Sequence, residues 1–259
     1  MNGETNKLAA LVIACMAAFT TPFMGSSINL ALPTIGKEFD MNAVMLGWVA
    51  TSYLLASAMF LLPFGRAGDI YGRKKIFSYG IAIYTLGSLL SALSNSAAML
   101  IVFRVVQGFG GSMIFGTSVA ILTSVYPPQE RGKVLGINVA FVYLGLSMGP
   151  FLGGFLTQHL GWRSIFDINL PIGSTILVLI FWKLKGEWAE ARGEELDKPG
   201  SLIYSASLVL LILGLARLPS LYGVWLALAG LAGLVIFFRW ESRATSPIFN
   251  VNVFRTNMV

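Results

Sequence analysis

Cysteine and histidine are nearly missing from this chain: Cys15 and His159 stand alone among 259 residues. One thiol cannot close a disulfide within the chain, and no second soft ligand lies near Cys15 to make a metal site. A single histidine makes a His-based metal centre and a His-dependent catalytic triad equally implausible. Charge is scarce as well, at 12% of residues against about a quarter in soluble domains. Acids are the scarcer sign, 12 against 18 lysines and arginines, which leaves a net charge of +6. No nucleophile–base pair, metal cluster or phosphate-binding loop is recognisable, so the chain does not read as an enzyme and no cofactor is expected.

What is abundant is apolar: 56% of the residues are hydrophobic. Runs of a length that can cross a bilayer, about 18 residues or more, fall near 8–32, 44–64, 76–94, 98–125, 134–158, 165–182, 201–217 and 221–238. The expected fold is an all-α integral membrane protein of about eight spans. The first run is longer than a signal-peptide core and reaches Ala31-Leu32-Pro33 without a small-residue cleavage site, so it reads as a retained span. With the N-terminus cytoplasmic, most basic residues lie inside; Lys37, Arg163 and Arg217 lie outside and Arg104 lies within a span. The positive-inside rule fixes that orientation and turns the net charge into a topological signal, which removes nucleic acid as a partner. A multi-pass protein of a cell membrane, of prokaryotic type, is the expected location.

The chain divides by composition into a six-helix bundle (1–183), a polar linker (184–200), two further spans (201–239) and a segment 240–259 that reads as leading into a missing C-terminal half. In the linker Glu187, Glu190, Glu194, Glu195 and Asp197 alternate with Lys185, Arg192 and Lys198, as in a solvated helix or connector on the cytoplasmic surface.

The densest motif is Gly65-Arg66-Ala67-Gly68-Asp69-Ile70-Tyr71-Gly72-Arg73-Lys74-Lys75, between the second and third apolar runs. Gly65 permits close helix approach and Gly72 a sharp turn. Asp69 can accept from the free N–H groups of a facing helix, while Arg73 and Lys74 offer cationic partners. The plain alternative is a basic loop that only sets topology.

In the fourth span, Arg104 sits about two turns from the start; an arginine at mid-membrane needs a polar cavity or partner, unless it snorkels to the surface. Gln107 and Gly108 share its face, and Gly108, Ser112 and Gly116 continue a small-residue stripe. In the fifth span Gly145, Gly149 and Gly153 lie on one face beside Pro150 and Gly154. They suit either tight packing or a pliable hinge. Asn29, Thr51, Tyr53, Asn138 and Tyr143 are polar positions within spans, candidates for a solute cavity or for helix–helix hydrogen bonds. Trp162 suits the outer interface, and Asp167 stands four residues from Arg163, within pairing reach.

Gly65, Asp69, Gly72, Arg73 and Lys74 match the Gly-x-x-x-Asp-x-x-Gly-Arg-Lys signature between spans two and three of the major facilitator superfamily, with Ile70 in place of the basic residue often found there. Arg104 through Gly111 resembles the fourth-span motif of that superfamily, and Gly145 through Gly154 is similar to its fifth-span antiporter motif. Further runs (Asn29 to Pro33, Trp48 to Leu55, Gly161 to Gly173) resemble the fourteen-span drug:proton antiporter branch, the EmrB/QacA type. The resemblance implies an alternating-access exporter of small amphipathic molecules, with H+ as coupling ion. Six-helix halves would rock about a central cavity, Asp69 and Arg73 would latch the cytoplasmic gate, and Arg104 would couple solute release to proton uptake. The glycines around Pro150 would form the hinge, and two extra spans would lie between the halves.

Met24 stands where this branch often carries an intramembrane aspartate, which leaves Asp167 as a substitute coupling residue. A second half, or a second copy of the chain, is the implied partner. Rival readings are a uniporter or importer of another solute on the same fold and a non-transporting membrane sensor or scaffold.

Overall fold

The structure, a computed structural model, describes residues 6–244 and 246–249. Among them the regular structure is entirely helical: α1 (Lys7–Glu38), α2 (Ala43–Tyr71), α3 (Arg73–Ala92), α4 (Ala97–Val125), α5 (Pro128–Leu160), α6 (Ser164–Asp167), α7 (Asn169–Lys183), α8 (Lys198–Leu215) and α9 (Leu221–Glu241). Each start has a local cause. The side chains of Asn6, Asn42, Ser96, Asp197 and Ser220 accept the N–H three residues on, which satisfies one of the free donors at a helix N-terminus. α5 begins instead on Pro128, whose missing N–H costs nothing at that position.

Seven of these, with α6 and α7 taken as one 20-residue element, are long and apolar enough to cross a membrane. The expected third span is the exception. α3 has 20 residues, but three basic residues open it and serines, glycines and tyrosines dilute its apolar content.

Helices α2 and α3 extend well past the expected runs, so most of the 65–75 motif is helical and Gly72 alone separates the two. Gly72 has φ +116°, a conformation that a side chain disfavours, and this is what breaks one helix from the next within a single residue. α2 and α3 touch each other only lightly; both pack on α4, while α1 packs on α5 and α8 on α9. The α8–α9 hairpin is tied to the bundle through α2, where Ser205 Oγ donates to the Met59 carbonyl (2.7 Å) and the Tyr204 hydroxyl to that of Ala58 (3.2 Å). Met24, Ile28, Phe77, Leu100, Phe166 and Ile176 lie in the common core. Large apolar side chains on the outer faces, such as Val178 and Phe181 of α7, are exposed, as suits a surface that lipid tails cover.

The linker is a connector and not a helix. Residues 184–197 form no helix, and they do not lie free in solvent. They fold back as a strap across the junction of α2 and α3. Within 240–259 the chain continues α9 to Glu241, and the Phe249 N–H donates to that carboxylate at 3.0 Å; residues 250–259 lie outside the described residues.

Candidate functional site

Helix α3 begins at Arg73, directly after the Gly72 break, so its side chain points back along α2. It is a hub. Its Nε and Nη2 reach Asp69 Oδ1 at 2.8 and 2.7 Å, one helical turn earlier. Its Nη1 donates to Ser124 Oγ of α4 (2.6 Å) and to Glu190 Oε1 of the strap (2.7 Å). The Arg73 side chain is 7% exposed, whereas those of Asp69 and Glu190 are 31% and 72% exposed. A nearly buried cation is therefore held by carboxylates that water can reach, an arrangement in which partners can be exchanged. The hydrogen bond from Arg73 holds the Glu190 carboxyl below its ordinary value.

The strap supplies three further kinds of contact. The Glu187 carboxylate caps α3, accepting the backbone N–H groups of Lys74 (2.8 Å) and Lys75 (3.2 Å). A Cβ at Gly72 would push that carboxylate aside, so a side chain there would disturb the cap as well as strain the backbone at φ +116°. The Arg73 N–H donates to the Trp188 carbonyl (2.8 Å) and the Ala191 N–H to the Asp69 carbonyl (2.9 Å). Arg66 pairs with Glu194, and Lys74 Nζ donates to the Leu184 carbonyl at 2.5 Å. Among the described residues the Asp69 carboxylate meets Arg73, and no N–H of a facing helix reaches it. Gly65 serves the close approach expected of it, with Gly116 of α4 as the facing residue.

The second centre is Arg104, 1% exposed. It does not snorkel. Its Nε donates to the Val49 carbonyl of α2 (3.0 Å), its Nη1 to Gln107 Oε1 (2.5 Å), and Gln107 Nε2 passes the chain to Ser88 Oγ of α3 (2.6 Å). The guanidinium lies over the Tyr53 ring, 4.4 Å from its centroid, and Tyr53 meets Tyr84 edge-on. Among the described residues no carboxylate is bonded to Arg104. The Tyr53 and Phe166 rings, a carbonyl and an amide oxygen stabilise the charge instead.

The fifth-span glycines form a close contact with α1. Gly145 lies against the Phe19 carbonyl, Gly149 against Ser26 and Gly153 against Ser27. Ser27 Oγ donates to the Gly149 carbonyl at 3.0 Å. Gly154 has open space where a side chain would be, and α5 continues unbroken through Pro150.

The cavity candidates separate. Asn29 and Tyr143 are exposed, while Tyr53 is buried beside Arg104 and Asn138 beside Cys15. Asp167 is exposed. The expected Arg163–Asp167 pair gives way to Arg163–Glu38 at 2.7 Å, because Glu38 also accepts the Trp162 indole N–H (2.6 Å). Trp162 consequently packs inside the protein at the ends of α1 and α5, 2% exposed. Met24 is fully buried, with Asn169 Nδ2 donating to its sulfur at 3.4 Å, and Asn169 Oδ1 has no partner among the described residues.

Glu187, Glu190, Glu194, Ser124, Ser88 and Asn169 are site residues that the sequence did not single out. The alternating charges of 187–197 were the one available signal.

A family model described as Major Facilitator Superfamily matches residues 14–257. The cephamycin export protein CmcT of Amycolatopsis lactamdurans is 36% identical over 97% of this chain and 54% of its own length. The multidrug resistance protein Stp of Mycobacterium tuberculosis is 30% identical over 96% of this chain and 47% of its own. The riboflavin transporter RibZ of Clostridioides difficile is 35% identical over 81% and 46%. The chain thus spans about half the length of the curated relatives it matches. In fold it is similar to a peptide transporter POT solved with sulfate, at a TM-score of 0.67 and 16% identity, over 92% of this chain and 52% of that one.

Proposed function

The chain belongs to the Major Facilitator Superfamily, and on that premise we propose that it forms one six-helix half, with two added spans, of an exporter of small amphipathic organic molecules. A second six-helix bundle, either a further half or another copy of this chain, completes the transport path. The printed names of two relatives, a cephamycin export protein and a multidrug resistance protein, support export and this class of solute. The relatives' bacterial sources favour a bacterial cell membrane. The observation that carries the mechanism is the Arg73 hub: a cation held by one half-buried and one exposed acid at the foot of α2 and α3 suits a gate that must release when the cavity turns inward.

In this reading Gly65, Asp69, Gly72, Arg73 and Lys74 form the cytoplasmic latch. Arg104 and Gln107 couple α2, α3 and α4, and the α1–α5 glycine contact is where the bundle flexes. Asn29 and Tyr143, on exposed surface, line the cavity once the second bundle stands opposite; Tyr53 and Asn138 lie behind it.

H+ is the proposed coupling ion. Met24 stands where an intramembrane acid is common, with Asn169 Nδ2 donating to its sulfur, and this favours a second reading, transport of another solute without proton exchange. A vesicle assay of the complete transporter separates the two. With ethidium as the probe and an imposed pH gradient, efflux should follow the gradient and collapse in Asp69→Asn. Efflux indifferent to the gradient removes proton antiport. Undiminished efflux in both Asp69→Asn and Arg104→Ala removes the latch mechanism.

A further inference from the structure

The outer surface between α3 and α7 carries a groove of about 580 Å³, at the same end of the bundle as the latch. Its walls are apolar and face outward: Tyr79 is 52% exposed, Phe181 73%, and Leu177 and Ala82 lie between them. Lysines 74 and 75 stand at its mouth. The α8–α9 hairpin is anchored on α2 and leaves this face to the bilayer.

We propose that this groove binds one acidic phospholipid of the cytoplasmic leaflet, with its phosphate at Lys75 and its acyl chains along Tyr79, Ala82, Leu177 and Phe181. Charge complementarity selects that occupant. The Lys75 ammonium is exposed and no acid among the described residues pairs with it, while Lys74 uses one of its three N–H donors on the Leu184 carbonyl. Glu187 is the acid at the groove, and both its oxygens are turned onto the α3 backbone. A cationic mouth over an apolar trough at the basic end of the bundle matches an anionic headgroup with its tails in the adjoining leaflet. Tyr79 lies one helical turn beyond Lys75 and lines the groove, and an amphipathic ring of that kind suits the join of headgroup and tails.

The experiment is native mass spectrometry of the purified chain after exchange into equimolar phosphatidylglycerol and phosphatidylcholine. The chain should retain one phosphatidylglycerol in preference to phosphatidylcholine. Lys75→Gln should lower that occupancy about five-fold, the weight of one interfacial lysine. Ala82→Trp should lower it by filling the trough without altering charge, since Ala82 is exposed. Lys133→Gln, an exposed cation away from the groove, should leave it unchanged. Equal retention of the two lipids overturns the proposal, as does a Lys75→Gln or Ala82→Trp protein that keeps its phosphatidylglycerol. Displacement of the lipid by glycerol phosphate at comparable concentration also overturns it, because the groove would then be a site for soluble phosphate.

Discussion

Arg104 is a buried cation whose partners are all neutral, and that decides what its replacement does. Removing it alone leaves Gln107 Oε1 without its donor in a low-dielectric setting, at a cost of about 1–3 kcal/mol. Removing the whole polar chain is different, since replacing buried polar partners together with apolar groups of similar shape is nearly neutral. Arg104→Met should therefore lower stability in an equilibrium detergent-unfolding titration by ~1–3 kcal/mol. Adding Gln107→Leu and Ser88→Ala should recover most of that loss, while efflux stays abolished in both proteins. Recovery of efflux together with stability would make Arg104 a packing residue and nothing more. This centre was partly legible in the sequence. Residues three and four apart share a helix face, so Gln107 could be placed beside Arg104 by counting. Val49 and Ser88 could not, because they arrive from α2 and α3 and only the packed fold brings them close.

The strap is the element that reading along the chain missed, and the reason is physical. Its contacts join residues more than 100 positions apart, such as Arg73 with Glu190. An irregular segment also has no periodicity to betray a buried face. Alternating charges looked solvated because the partners of Glu187, Glu190 and Glu194 lay on other elements. The α1–α5 contact was easier, since a four-residue glycine spacing marks a close crossing whichever helix lies opposite.

The strap's pH response follows from Glu190. Its pKa is lowered from the ordinary 4.5 by the hydrogen bond from Arg73. Its contribution is therefore fully present above 4.5 and disappears as pH falls through the lowered value. Hydrogen exchange of the 187–194 amides, corrected for intrinsic rates, should stay protected from neutral pH down to 4.5 and lose protection only below it. Glu190→Gln should raise exchange at Ala191 already at neutral pH. Its effect should be modest, because Glu190 is mostly exposed and the backbone bonds and Glu194 remain. Protection lost between pH 7 and 5 would mean that another group holds the strap.

At the scale of the whole molecule, one face of the bundle can be assigned by what borders it. α8 covers part of α2, and the α3–α7 face is the one proposed to take up a lipid. The exposed side of α5 carries Tyr143, Leu146, Phe151 and Phe155, and Asn29 of α1 is exposed too. A tyrosine and an asparagine gain nothing from facing hydrocarbon, whereas both are at home beside a polar path between two bundles. Tyr143 and Phe151 then give opposite signals. With the single native thiol removed by Cys15→Ser, a cysteine at Tyr143 should react with a water-soluble maleimide from one side of the membrane, and the transported solute should slow that reaction. A cysteine at Phe151, among apolar neighbours, should react slowly with or without solute. If Tyr143→Cys behaves as Phe151→Cys does, or reacts at the same rate whether or not solute is present, the α5 face is buried in lipid. The proposed second bundle would then have to lie against a different side of the molecule.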